Sequence, residues 1–186
     1  DFQPEEITTS NLSSLVLDLS SWGITLYEDA NWLTAPPKFN FEVACDLNFA
    51  LGLTDKNNKI LPNGNKALKL GLDPRLSSML LRSDTHIEKT ISCILAALMA
   101  ERDILINPHS SDITERVLVF IDYLQDRKSF KGNGNINFSA LEQAIILAKS
   151  FAQIMGTSID IKALTLIDLH FHIGPLLLKA YPDRLA

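Results

Sequence analysis

Six basic side chains punctuate one short stretch of this sequence: Lys56, Lys59, Lys66, Lys69, Arg75 and Arg82, with Asp73 the one acid among them. Cations at such intervals either neutralise successive phosphates of a nucleic-acid backbone or form a solvated face. A second charged group, Glu101-Arg102-Asp103, follows an apolar run. It reads as a helix end with local ion pairs, or as a place where Arg102 reaches a phosphate. Residue types for catalysis are present but not in catalytic spacing. His170 and His172 stand two apart, so on a helix they point away from each other, and no third ligand has metal spacing. The stretch GNGN within 131–135 lacks the lysine and Ser/Thr of a phosphate-binding loop and follows no strand, so a flexible loop is expected. No Ser/His/Asp or Cys/His arrangement defines a nucleophile. Cys45 and Cys93 lie inside apolar helical patterns, which predicts buried free thiols and a reducing cytoplasm. Accordingly no catalytic residue, metal ligand or cofactor is assigned to these residues.

The elements that must position the cations are mainly helical. The chain has 186 residues, 46% hydrophobic and 21% charged, as in an ordinary globular protein of one large or two small domains. No apolar run approaches the roughly 18–20 residues that span a bilayer, so no membrane is expected as a partner. The first residue is aspartate rather than methionine, which suggests a piece of something longer. A net charge of −5 argues against a free-standing nucleic-acid binder. The charge is uneven, however: residues 1–71 carry five Lys/Arg against nine Asp/Glu, and residues 72–186 carry twelve against thirteen.

Leu12, Leu15, Val16, Leu19 and Trp22 have helical spacing, with Ser10 a plausible cap and Gly23 a stop. Phe39 to Leu51 reads as a second amphipathic helix, closed by Gly52. Asp55-Lys56-Asn57-Asn58, between short apolar arms, predicts a small β-hairpin. Pro62 then opens a short helix that ends at Gly71, and Asp73-Pro74 cap and open the next. Further helices are expected over 87–99, from Ser111 or Asp112 to Gln125, and over 139–155 and 161–178. The resulting fold class is mainly α: a winged-helix domain with a small hairpin over 1–72, then a helical bundle over 73–186.

The run from Leu51 to Leu81 resembles the junction of the winged-helix and helicase-associated (ratchet-like) domains in DEAH-box helicases. The matching residues are Leu51-Gly52-Leu53, Gly64, Asp73-Pro74-Arg75-Leu76 and Met79-Leu80. Three further stretches are similar to the bacterial HrpB-type branch: NLSSLVLDLSSWGI with WLTAPP, then LAALMAERDIL, then LLLKAYPDRLA. Together they run from about Ile7 to Ala186, weakest between Ile104 and Leu141. Leu61 stands where the family often has a capping Ser/Thr, Asn65 where Arg or Gln is common, and Ala100 where serine is usual.

That resemblance implies an accessory C-terminal part of an ATP-dependent RNA helicase. Its partners would be the RecA-like motor domains of the same chain, which bind ATP and Mg, and single-stranded RNA or DNA. It would dock the motor and roof the strand's channel. Lys66, Arg75, Arg82 and Arg102 become the candidate contacts to nucleic acid or motor, Arg75 equally a brace of the joint paired with an acid of the winged helix, and Gly64, Asp73 and Pro74 the structural junction. A phosphate-binding G-K-[ST] loop and a D-E-x-H motif are both missing from the sequence. Two rival classes are a stand-alone winged-helix regulator with a helical dimerisation bundle, and a protein-binding adaptor. The regulator would need a basic recognition helix, and Phe39–Leu51 carries Glu42 and Asp46 with Lys38 beside it.

Overall fold

A computed structural model describes residues 11–130 and 135–184. Ser10, most of the 131–135 loop and the last two residues of YPDRLA fall outside that range. The fold is mainly α, as the periodicity implies. Eight α-helices are defined among the described residues: α1 (Ser13–Ser21), α2 (Lys38–Ala50), α3 (Pro62–Leu70), α4 (Pro74–Leu81), α5 (His86–Ala100), α6 (Ile113–Gln125), α7 (Phe138–Ile154) and α8 (Leu166–Ala180). The chain forms two compact units. One takes residues up to Leu81 together with those from Leu178 onward, and the other runs from Arg82 to Leu177. The division thus falls one helix later than 72/73, and the C-terminal residues return to the first unit.

In the first unit, Leu12, Val16 and Leu19 on α1 meet Phe41 and Ala44 on α2. The proline-rich connection is fastened by its aromatics. Trp32 Nε1 donates to the Tyr27 carbonyl at 3.0 Å, and the Tyr27 hydroxyl donates to the Pro36 carbonyl at 2.7 Å. Tyr27, Trp32 and Phe41 stack edge-on or tilted, with centroids 5.5–6.1 Å apart. A second cluster joins Leu17, Leu47, Leu51, Leu53 and Ala67, which ties α3 to α1 and α2.

The expected hairpin is present only as a bridged turn. Thr54 and Ile60 form one antiparallel bridge, Asp55 N–H donates to the Lys59 carbonyl at 2.9 Å, and Asn58 takes a left-handed φ of 58°. The Leu61 N–H donates to the Leu53 carbonyl at 2.9 Å, after which Pro62 starts α3. Gly64 explains itself here: a Cβ at this position would lie 2.3 Å from the Leu53 oxygen and 2.6 Å from Ile60 Cγ1. Only glycine lets the helix approach the turn so closely. Leu61 occupies the N-cap of α3 without a side-chain cap bond.

The second unit is built on α5, whose residues from Thr90 to Leu98 are all buried. That continuous burial follows from packing against both α6 and α7. Thr85 Oγ1 accepts the Glu88 N–H at 3.1 Å, while Glu88 Oε2 accepts the Asp84 N–H at 2.9 Å, a reciprocal cap. Asp112 and Asn137 cap α6 and α7 by accepting the Thr114 and Ala140 N–H groups, without the returning bond. The last helix begins later than periodicity suggests. Asp160 caps a short turn over Ile161–Ala163, and Thr165 with Asp168 then caps α8 afresh. Leu105 and Ile136 pair in one isolated antiparallel bridge at the foot of this unit.

Candidate nucleic-acid interface and the Arg75 clasp

Asp73, Pro74 and Arg75 act at the start of α4. The Asp73 Oδ1 accepts the Arg75 N–H at 2.8 Å, and Pro74 fills the first helical position, where no N–H is needed. This start aims the Arg75 side chain inward, where the residue is 8% exposed. A buried guanidinium needs several acceptors. Arg75 Nη1 donates to Asp183 Oδ1 at 2.5 Å and Nη2 to Oδ2 at 2.8 Å, a bidentate pair. Nη1 also donates to the Ala180 carbonyl at 3.2 Å, and the Tyr181 ring centroid lies 5.0 Å from the guanidinium carbon. The arginine of D-P-R-L therefore grips the Y-P-D-R segment more than a hundred residues later. Hydrogen bonding from Arg75 holds the Asp183 carboxyl at about 2, well below the ordinary carboxylate range. This geometry takes Arg75 out of the set of cations open to a nucleic acid.

The E-R-D group divides its work. Asp103 accepts from Arg116 Nε at 3.1 Å and Nη2 at 2.7 Å, and its Oδ1 also accepts the Leu105 N–H at 2.9 Å. Arg116 is 8% exposed and donates further to the Ser110 and Asp112 carbonyls, both at 2.9 Å. The pair closes the loop between α5 and α6 and depresses the Asp103 carboxyl through the guanidinium bonds. Sequence reasoning passed over Arg116. Its signal was a charge set beside Val117, Phe120 and Ile121, a buried row that demands a partner for any cation. Arg102, next to Asp103, points into solvent instead.

Lys66 and Arg82 are also exposed. Lys66 lies on α3, opposite the buried row Gly64, Ala67 and Leu70. Arg82 opens the second unit, so these candidate contacts do not converge within one compact unit. The first unit also carries an open groove of about 580 Å³, lined by Phe39, Val43, Ala44, Leu47, Ala50 and the Arg75–Asp183 pair. Phe39 is 71% and Val43 49% exposed beside it.

Burial pushes the Cys45 thiol up to about 11 and the Cys93 thiol to about 12, so both are poor nucleophiles at neutral pH. His172 lies 3.8 Å from Glu88, while His170 faces solvent. Among the described residues no cluster of three or more His, Cys, Asp or Glu could hold a metal. No helix among them is long and apolar enough to cross a membrane.

No protein-family model matches the chain. The ATP-dependent RNA helicase HrpB of Escherichia coli (strain K12) is 33% identical over 96 residues, which cover 52% of this chain and 12% of that protein. The crystal structure of the E. coli DExH-box NTPase HrpB superposes with a TM-score of 0.67 at 24% identity. It covers 98% of this chain and 19% of the solved one. A crystal structure of the E. coli DEAH/RHA helicase HrpB gives the same TM-score at 23% identity. The chain spans only 12–19% of these longer proteins. In sequence over half its length, and in fold over nearly all of it, the chain resembles the HrpB-type helicase fragment that its motifs imply.

Proposed function

We propose that this chain is an accessory C-terminal part of an HrpB-type, DEAH-box ATP-dependent RNA helicase. Its first unit is the winged-helix counterpart and its second the helicase-associated bundle. It docks RecA-like motor domains of the same polypeptide and roofs the channel taken by single-stranded RNA, in the cytoplasm. ATP and Mg belong to those motor domains, and the G-K-[ST] and D-E-x-H motifs that would bind them are missing from this sequence.

The observation that carries this reading is the clasp. Two motifs of the family resemblance, far apart in sequence, meet as one bidentate Arg75–Asp183 pair. A rigid platform suits a roof better than a mobile linker would. The groove beside the clasp, with Phe39 and Val43 exposed, offers the motor an apolar landing. Exposed Lys66, Arg82 and Arg102 supply cations to a backbone without base-edge readout.

Glu42 and Asp46 on α2 speak against the stand-alone regulator, because the helix that would enter a major groove is acidic. Anisotropy titration of the 186-residue chain against single-stranded RNA, single-stranded DNA and duplex tests the choice. Weak, sequence-blind binding that prefers single strands is expected. A clear duplex preference would replace this reading with the regulator.

A further inference from the structure

We infer that the bridged turn and α3 form a phosphate-tracking site built from Lys56, Lys59, Lys66 and Lys69, which runs along the backbone of a nucleic-acid strand. This deepens the nucleic-acid reading above and rests on it, but it names different residues. Of the earlier candidates it retains only Lys66.

Placement comes first. Lys56 and Lys59 sit on the turn closed by the Thr54–Ile60 bridge, and both are exposed. Lys66 and Lys69 follow on α3, one turn apart and both exposed, while Gly64, Ala67 and Leu70 face inward. The turn and the helix are one rigid piece. Gly64 lies against the Leu53 carbonyl and Ile60, so the lysines on either side keep a fixed relation.

Charge comes second. Within this piece the one acid is Asp55, and its Oδ1 already accepts the Asn57 N–H at 2.8 Å and the Lys59 N–H at 2.9 Å. Among the described residues no ion pair engages any of the four lysines. The other acids among the first unit's described residues are Asp18 on α1, Glu28 and Asp29 in the aromatic loop, Glu42 and Asp46 on α2, Asp73 just beyond α3, and Asp183, which Arg75 holds. Four of the eight Lys and Arg side chains of the first unit thus stand on this one piece, with a single acid among them. Such segregation has a physical meaning. Four uncompensated ammonium groups repel one another, and an extended polyanion relieves that repulsion best.

The surface also says how the strand is read. Asn57, Asn63 and Asn65 stand exposed among the lysines and add neutral donors and acceptors. The piece carries no aromatic side chain on which a base could stack. Contact is therefore with phosphate, and the site is blind to sequence.

The test is a salt titration. The 186-residue chain and its Lys56→Gln/Lys59→Gln/Lys66→Gln/Lys69→Gln variant are compared for binding a labelled single-stranded RNA, at a series of salt concentrations. Helical circular dichroism confirms that both are folded. The slope of log K against log[salt] should fall in the variant by about 0.7 for each lysine, or about 3 in all. Affinity should be lost mainly at low salt. An unchanged slope overturns the site. If Arg102→Gln or Arg82→Gln lowers the slope while the lysine variant does not, the site fails and the channel reading stands. A lysine-dependent slope seen mainly on duplex supports the site and contradicts the channel reading. Absence of binding to any nucleic acid overturns both.

Discussion

Asp183 owes its low proton affinity chiefly to Arg75, and that makes the clasp measurable by pH. Its carboxyl titrates near 2 in the folded chain against about 4 when unfolded. A depressed carboxyl adds stability that is complete above the unfolded value and disappears as pH falls through the folded one. The stability difference between the wild-type chain and Asp183→Asn should be constant above about pH 5 and shrink steadily between about pH 4 and 2. Urea unfolding at a series of pH values checks this. A difference that does not change with pH would assign the effect to packing. At neutral pH, Asp183→Asn leaves a buried guanidinium with one strong acceptor fewer and should cost about 2 kcal/mol. Half-exposed Asp183 keeps that cost below the value for a fully buried pair. Arg75→Lys should cost nearly as much, because an ammonium can neither fork onto the carboxylate nor lie flat against Tyr181. A bracing Arg75 paired with an acid is one reading the sequence allows, but that the acid is Asp183 is not legible there. Periodicity reports neighbours a few residues apart, whereas the clasp closes a very long loop. What the sequence did show was that both motifs existed.

At the scale of elements, helix punctuation was the most readable part. Pro62, Gly71 and Asp73-Pro74 each encode a local backbone geometry, so α3 and α4 start and stop where those residues dictate. The bridged turn was read as a hairpin because Asn58 and the flanking apolar arms supply the turn. Its arms nevertheless pair over a single bridge, since Pro62 turns the second arm into a helix at once. The apolar period predicts a helix from Ile161, whereas α8 starts at Leu166 because Thr165 and Asp168 form a cap within that period. Two substitutions probe the turn-and-helix piece. Gly64→Ala should destabilise the chain by about 1–3 kcal/mol, because its methyl group would overlap the Leu53 oxygen and neither backbone can yield freely. Leu61→Asp should stabilise it by about 1 kcal/mol by supplying the missing N-cap, since Leu61 already has the extended backbone of a cap. Chemical denaturation midpoints read both. If Gly64→Ala proves neutral, the close approach of α3 to the turn is not a constraint.

Across the whole molecule, each unit has its own fastening arginine, Arg75 in the first and Arg116 in the second. Both are buried, so the basic residues that remain for a phosphate backbone are fewer than the sequence count suggests. That sorting needed coordinates: composition counts cations but cannot tell a brace from a contact. The role proposed for these units is to serve a helicase motor. On that proposal the segment is joined to motor domains, and the direct test is ATP hydrolysis by the joined polypeptide, with and without residues 1–186, at saturating single-stranded RNA. Removing this segment should leave hydrolysis without RNA intact but abolish its stimulation by RNA. Equal stimulation of both proteins would contradict it.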